Sequence, residues 1–298
     1  MLPLISIVTP CLNRAAMIGD AVDSVLSQND PSVEHIIVDG GSTDGTLDVL
    51  RRYPHLVVTS GPDKGIYDAL NKGVALARGR IIGHLNSDDI YEPGAFARVR
   101  AAFAADPSLE SVCGGALICD DRGLVRDCSG PKDRDLGFAT ALLGVPVINA
   151  RFFTRDLYDR VGPYSLDYRL AADRDFLVRA VLAGCRWRDL DAVLYRYRMH
   201  GGSATCTDDR RAQIKFITEN ARLAETWLDR PGLPADLYRC CRRLFGNSVA
   251  RLAWLRLRQG EATATARLLL SRRGHLSVWP LAAAAQSVAL HALHRHAA

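Results

Sequence analysis

The sequence predicts an α/β fold, in which a mostly parallel central sheet is flanked by helices and followed by an α-helical extension. Two observations support this prediction. In the first half of the chain, short apolar runs rich in β-branched residues alternate with helix-like segments, as in βαβ units. After about residue 207 the strand-like runs stop, and only helical patterns continue. We therefore expect the sheet to be complete before the last third of the chain.

Four strands and four helices alternate over the first 107 residues. The first strand is ISIVTP at 5–10, and the next helical segment, 15–28, places Ile18, Val22 and Val25 on one face. We expect the other strands at 34–40, 56–61 and 80–89, and the other helices at 43–52, 66–77 and 93–107.

The second half of the chain is less regular. Three further strand-like stretches lie at 111–123, 146–155 and 192–205, and one helix is predicted at 170–185. Helical patterns then occupy 209–229, 235–259, 261–273 and 276–296. The 298 residues suffice for one large domain or for one domain with an appendage. We place the domain boundary between 1–206 and 207–298, and we divide the first domain into halves at residue 107.

Composition and charge restrict the class of protein. No run of about 18 uncharged apolar residues occurs, so we expect no transmembrane helix. The N-terminus resembles a first strand rather than a signal peptide. The eight cysteines include no CxxC pair, which argues against a zinc site and favours free thiols in a reducing cytoplasm. The net charge is +5, yet residues from 201 onward carry 15 Lys and Arg against 7 Asp and Glu. This basic part predicts an anionic neighbour such as a membrane surface or nucleic acid; solvated helix faces of an Arg-rich protein are the alternative.

Polar, turn-forming residues follow each of the first four predicted strands. They occupy 9–13, 39–42, 61–64 and 86–89. Since ligands of open α/β sheets bind beyond the carboxyl ends of the strands, we expect these loops to gather at one edge and form a site. The alternative is that βα loops are polar simply because they face water.

The segment NSDD at 86–89 raises a question of charge. Two adjacent carboxylates after a buried strand repel each other and need a cationic partner or water. A divalent cation such as Mg²⁺ or Mn²⁺, bridging carboxylate and phosphate oxygens, meets this need. The alternative is that the two aspartates cap the following helix, since Asp favours helix N-termini.

Several motifs together carry a family resemblance. SIVTPCLNR, IIVDGGSTDGT, GPDKGIYDALNKGVALARG and IIGHLNSDDIY occur in order over roughly the first 100 residues, followed by AADRDFLVR and YRMHGGSAT. In this order and spacing they resemble the motifs of family 2 glycosyltransferases with the Rossmann-like GT-A fold. The resemblance covers about two-thirds of the chain and leaves the C-terminal third unmatched. It implies that 1–107 binds a nucleotide-sugar and that 108–206 binds the acceptor.

The resemblance implies a metal at the NSDD segment. Asp89 would ligate the divalent cation, Mn or Mg, and Asp88 would contact the ribose or the water shell of the metal. His200, ahead of two glycines, matches a histidine that reaches the metal or the pyrophosphate, and a structural role is its alternative.

The resemblance also assigns donor contacts. Asp39 would accept a hydrogen bond from the nucleotide base, and Thr9 and Pro10 would pack along the base and ribose. Many members carry a second acid after the first, whereas this chain has Gly40, which leaves the identity of the base open. Lys64 is expected at the donor phosphate or sugar, with an exposed surface position as the alternative.

Asp173 matches the aspartate of the acceptor-side motif and is expected to be the catalytic base, although Ala172 replaces an acid that often precedes it. Asp173 and Asp175 both lie at the start of a predicted helix, where side chains two positions apart face different ways. The alternative for both is stabilisation of the helix dipole.

These expectations predict a metal-dependent inverting glycosyltransferase. It would move a sugar from a nucleotide-sugar to a saccharide or lipid-linked acceptor in bacterial surface polysaccharide synthesis. A nucleotide-sugar binding protein without turnover is the alternative, whereas a dinucleotide oxidoreductase would need a GxGxxG motif that TPCLNR lacks. We expect a cytoplasmic protein, peripheral at the inner face of the membrane through its basic C-terminal helices, and no nucleic-acid partner. Packing of the last helix on the catalytic domain or on a second subunit is the alternative to membrane contact.

Overall fold

In the computed structural model the chain forms two compact units, 1–201 and 202–298, of which residues 4–145, 148–202 and 209–257 are described. The predicted helices at 261–273 and 276–296 lie outside the described residues.

One sheet organises the first unit. Its strands are β1 (Ile5–Cys11), β2 (Val33–Asp39), β3 (Val57–Ser60), β4 (Ile81–His84), β5 (Ile90–Tyr91), β6 (Ser111–Asp120), β7 (Gly123–Cys128), β8 (Arg151–Thr154) and β9 (Trp187–Arg198). Across the described residues they lie in the order β3-β2-β1-β4-β8-β6-β9-β5, with β7 paired to β6.

The first four strands pair in parallel, with β1 between β2 and β4 and with β3 beside β2. All seven residues of β1 are buried, as expected for a strand covered on both faces. Beyond β4 the pairing is mixed, because β8 runs antiparallel to β4 and β6, whereas β6 and β9 are parallel. The predicted α/β fold is thus confirmed, and its parallel part is the part formed by the first half of the chain.

Helices cover the sheet in the order expected from the sequence. They are α1 (Ile18–Leu26), α2 (Thr46–Leu50), α3 (Ile66–Leu76), α4 (Ala95–Ala105), α5 (Pro131–Arg134), α6 (Phe138–Leu143), α7 (Arg155–Val161) and α8 (Ala172–Leu182), with a 3₁₀ turn at Ile148–Ala150. The short helices α5, α6 and α7 were not predicted, since each is too brief to show a helical period.

The strand expected at 80–89 ends earlier than predicted. β4 stops at His84, and the chain turns before β5, because Asn, Ser and Asp favour turns over strands. This turn is what brings the NSDD segment to the edge of the sheet.

Close packing holds α3 against the sheet. An added Cβ at Gly73 would lie 2.2 Å from Val8 Cγ1 and 3.2 Å from Val38 Cγ2, so only glycine allows this approach. The start of α3 is thereby held at the carboxyl edge of β1 and β2, beside the polar loops.

The second unit contains α9 (Arg210–Leu228) and α10 (Ala235–Leu257) among its described residues. Asp209 caps α9, since its carboxylate accepts the backbone N–H groups of Arg211 and Ala212. Ile217, Leu252 and Leu255 form a small apolar core between the two helices. In the described part of the chain, no helix combines the length and apolar character needed to cross a membrane.

Candidate functional site

The loops that follow the first strands meet at the carboxyl edge of the sheet. Asn13 N–H donates to Ser42 Oγ at 2.7 Å, and Thr43 N–H donates to Asn13 Oδ1 at 2.9 Å. Arg14 Nε lies 3.7 Å from Asp88 Oδ2. The loops after β1, β2 and β4 therefore form one polar surface, as their position in the sequence predicts.

Asp39 ends β2 with a fully buried carboxylate. Its Oδ2 accepts the backbone N–H groups of Gly41 at 3.1 Å and Ser42 at 3.0 Å and the Ser60 hydroxyl at 2.6 Å. Its Oδ1 accepts the Ser42 hydroxyl and the Cys11 thiol. Burial by itself would raise the pKa of Asp39, but the hydrogen bonds from Ser42, Ser60 and Gly41 outweigh it and lower that pKa. The carboxylate is charged and is saturated by donors of its own loops.

Thr9 and Pro10 are buried within β1. Thr9 Oγ1 lies 2.8 Å from His35 Nε2, so its hydroxyl is already paired inside the sheet. Burial lowers the pKa of His35 to about 3, with a smaller contribution from His55, and His35 is therefore neutral. The predicted contacts of Thr9 and Pro10 with base and ribose stay predictions.

Asp89 is fully buried, and three groups hold its carboxylate. Oδ2 accepts the Tyr195 hydroxyl at 2.6 Å and the Asn86 side-chain amide at 2.8 Å, while Oδ1 accepts the Arg198 backbone N–H at 2.8 Å. Burial raises the pKa of Asp89 to about 7, and the neighbouring Asp88 carboxylate adds to the rise. Asp89 thus ties the turn after β4 to β9.

Asp88 has the more accessible carboxylate of the pair, with 17% of its side chain exposed. Its Oδ2 lies 2.9 Å from His200 Nε2, and its backbone carbonyl accepts a hydrogen bond from Arg198 Nε. Arg14 and Arg198 provide the cationic surroundings that adjacent carboxylates require.

Asp88 and His200 bring one carboxylate oxygen and one imidazole nitrogen to the same point. Carboxylates suit Mg²⁺ and Mn²⁺, and imidazole is a common ligand of transition metals. No group of three or more His, Cys, Asp and Glu side chains able to hold a metal ion occurs in the described ranges. A cation here would therefore take its remaining ligands from phosphate oxygens and water, as Mg²⁺ does in phosphate-binding sites.

Asp173 lies in the first turn of α8, half-buried against the start of α3. The Tyr67 hydroxyl hydrogen-bonds to its carboxylate, and Arg174 N–H donates to Oδ1 at 2.8 Å. Burial raises the pKa of Asp173, although the Arg174 charge and these hydrogen bonds oppose the rise. Asp175 instead pairs with Arg179 at 2.8 Å, so the two aspartates have separate partners, as their spacing predicts.

Lys64 is exposed beside the start of α3, and its backbone N–H donates to the Asp68 carboxylate at 3.0 Å. A contact of its ammonium group with a donor phosphate or sugar stays a prediction.

The sequence interpretation did not include Tyr67, Tyr195 or Arg198. They contact Asp173, Asp89 and the Asp88 backbone, respectively. Tyr195 and Arg198 lie in the predicted strand-like stretch 192–205, within five positions of His200, so proximity to that histidine was a usable signal. Tyr67 lies within the motif GPDKGIYDALNKG, but nothing in the sequence indicates that it contacts Asp173.

Comparisons with known sequences agree on one family. The model of "Glycosyl transferase family 2" matches residues 6–154. A PGL/p-HBAD biosynthesis glycosyltransferase from Mycobacterium bovis is 33% identical over 229 residues, which cover 74% of this chain and 86% of that protein. Chondroitin synthase from Pasteurella multocida is 28% identical over 229 residues, but the match spans 23% of its length.

Solved structures share the fold. The mannosyltransferase PcManGT from Pyrobaculum calidifontis, in complex with GDP-Man and Mn²⁺, has a TM-score of 0.61 at 19% identity and covers 97% of this chain and 81% of its own. S. aureus TarS has a TM-score of 0.59 at 17% identity over 85% of this chain, which spans about half (49%) of that chain. At these identities the likeness concerns the fold.

Proposed function

The chain belongs to glycosyl transferase family 2 and is a glycosyltransferase, and we propose that it transfers a sugar, with inversion, from a nucleoside diphosphate sugar to a hydroxyl group of a saccharide or lipid-linked acceptor. The observation that carries the proposal is the accessible Asp88 carboxylate, paired with His200 among the gathered loops. A diphosphate needs cationic partners, and Arg14 and a divalent cation held by Asp88 and His200 would supply them.

We assign the metal-facing role to Asp88 and His200 rather than to Asp89. Both oxygens of the Asp89 carboxylate accept hydrogen bonds from protein groups, and the residue is fully buried. Asp89 would therefore position the turn that presents Asp88. When bound, Mn²⁺ or Mg²⁺ would supply positive charge opposite the departing diphosphate.

Asp173 is the proposed general base. Its carboxylate would take the proton of the acceptor hydroxyl as that oxygen attacks the anomeric carbon, and the bond from this carbon to the diphosphate oxygen would break. The raised pKa of Asp173 makes it a stronger base than an ordinary aspartate. Tyr67 would orient the carboxylate, and the nucleoside diphosphate would leave with the bonding electron pair.

The structure does not favour a binding protein without turnover. The sequence arguments for it are Gly40 and Ala172, each of which stands where many members have an acid. Ala172 is fully buried, so an acid at this position would be buried as well, while Asp173 keeps its place against Tyr67.

A peripheral membrane contact is part of the proposal. Its support is the basic character of the chain from residue 201 onward, which would attract the anionic inner face of a bacterial membrane. This contact would bring a cytoplasmic enzyme to a lipid-linked acceptor used in surface polysaccharide synthesis.

Calorimetry with UDP, GDP and dTDP, each with and without Mn²⁺, tests the donor site, and release of nucleoside diphosphate from matching nucleotide-sugars tests turnover. We expect one nucleotide to bind only in the presence of Mn²⁺. In Asp88→Ala, the affinity for that nucleotide should fall, and Mn²⁺ should no longer increase it. Asp48→Asn is the matched control, since Asp48 pairs with Arg51 at the exposed surface. Nucleotide affinity that changes neither with Mn²⁺ nor with the Asp88→Ala substitution would overturn the proposed site.

A further inference from the structure

The base-recognition role expected of Asp39 meets a geometric obstacle. Its carboxylate is fully buried and already receives five donors, from Gly41, Ser42 (backbone and hydroxyl), Ser60 and Cys11. A carboxylate offers about four lone-pair sites, so this one has no capacity left for the N–H group of a base.

Gly40 leaves space beside Asp39, and another carboxylate occupies it. An added Cβ at Gly40 would lie 2.6 Å from Asp63 Oδ2 and 3.5 Å from Leu12 Cδ1. Asp63 comes from the loop after β3, and its carboxylate stands where a side chain at position 40 would project. At the neighbouring Gly41, which has φ +91°, an added Cβ would meet nothing within 4 Å, so the turn after Gly40 is open.

One oxygen of Asp63 is held in place, and the other is available. Oδ1 accepts the Gly65 N–H at 2.8 Å, which fixes the orientation of the carboxylate. Within the part of the chain that the structure describes, Oδ2 accepts no hydrogen bond. The Leu12 side chain, 50% exposed, provides an apolar wall on the same side of Gly40.

We infer that Asp63, over Gly40 and beside Leu12, is the carboxylate that recognises the nucleobase of the donor, by accepting a ring N–H. The inference rests on the proposed function and deepens it. Uracil, thymine and guanine present a ring N–H next to a carbonyl, which suits a carboxylate acceptor. Cytosine and adenine present an unprotonated ring nitrogen instead, whose lone pair would face Oδ2 unfavourably.

The test is a set of calorimetric dissociation constants measured with Mn²⁺ for UDP, dTDP, GDP, CDP, ADP and inorganic pyrophosphate. In the unmodified protein we expect a nucleotide with a ring N–H to bind most tightly. Asp63→Ala should weaken that nucleotide about tenfold, as expected for one hydrogen bond to a charged acceptor, and should leave pyrophosphate affinity unchanged.

Gly40→Ala is an independent second variant. Its methyl group would displace the Asp63 carboxylate, so the preference for the favoured base should fall in the same direction. Asp48→Asn, which removes an exposed carboxylate paired with Arg51, should change neither constant.

Two results would overturn the inference alone: tightest binding of CDP or ADP, or an unchanged ratio of nucleotide to pyrophosphate affinity in Asp63→Ala. If the unmodified protein binds no nucleoside diphosphate at all, the proposed function fails and the inference falls with it.

Discussion

The ends of β2 and β4 carry buried aspartates with opposite electrostatics. Asp39 and Asp89 are both fully buried. The pKa of Asp39 is lowered because hydrogen bonds from Ser42, Ser60 and Gly41 outweigh burial. The pKa of Asp89 is raised to about 7 by burial and by the charge of Asp88. Burial raises the pKa at both positions, but only at Asp39 do the hydrogen bonds outweigh it, whereas at Asp89 the charge of Asp88 adds to it.

The comparison also separates the carboxylates that we propose to hold loops from those that we propose to bind the cation or to act as the base. Asp39 and Asp89 accept hydrogen bonds on both oxygens, and we propose that they hold their loops. Asp88 and Asp173 are half-buried by accessible surface, and the hydrogen bonds to their carboxylates are fewer. We therefore expect substitution of the first pair to affect folding and substitution of the second pair to affect chemistry.

The largest expected effect is that of Asp173→Asn. Loss of the base should lower kcat by about 100- to 10,000-fold, the usual range for general base catalysis. Nucleotide affinity should stay as in the unmodified protein, since Asp173 contacts neither Asp88 nor His200 and an asparagine can keep the hydrogen bond from Tyr67. Steady-state release of nucleoside diphosphate, with calorimetry beside it, measures both. A kcat within threefold of the original would remove Asp173 from the mechanism.

Asp88→Ala is expected to reduce Mn²⁺-dependent nucleotide affinity by about 100-fold, because a direct ligand to the cation is lost. Asp89→Asn is the matched comparison, and it should retain the Mn²⁺ requirement while melting at a lower temperature. Calorimetry and thermal unfolding of both variants give the answer. If Asp89→Asn instead abolishes the Mn²⁺ requirement, the metal belongs to Asp89, as the sequence alone suggested.

Asp39→Ala should act on stability. The N–H groups of Gly41 and Ser42 and the Ser60 hydroxyl would lose their acceptor, at a cost of about 3 kcal/mol in the free energy of unfolding. Urea denaturation measures this change, with the exposed Asp48→Asn as control. An unfolding free energy equal to that of the control would show that Asp39 does not support its loop.

The smallest effect is expected from Tyr67→Phe. The Tyr67 hydroxyl lowers the pKa of Asp173, so its removal should raise that pKa further. Because the base must be deprotonated, activity rises with pH through this pKa, and the acidic limb of the kcat profile should move to higher pH. The profile between pH 5 and 9 measures the shift. A limb that moves to lower pH would contradict the assigned hydrogen bond.

The parallel half of the sheet was predictable because its signals are local. Each strand from β1 to β4 is a short apolar run followed by a helical period, and the four runs are close to the observed strands. The mixed pairing of β8 and β9 was not predictable, because strand partners far apart in the chain leave no local pattern. The same holds for the candidate site. The sequence identified the loops after the first strands, but it did not identify the distant residues that contact the carboxylates of these loops.

The sequence alone was enough to place Asp39, Asp88 and Asp89 at one edge of the sheet, since the order of strands and helices dictates where parallel strands end. The fold in three dimensions selected which aspartate of the adjacent pair is covered. Tyr195 and Arg198, more than 100 positions further along the chain, enclose Asp89 and leave Asp88 to His200. Neighbouring carboxylates are equivalent in a sequence, and they become different only when distant donors reach one of them.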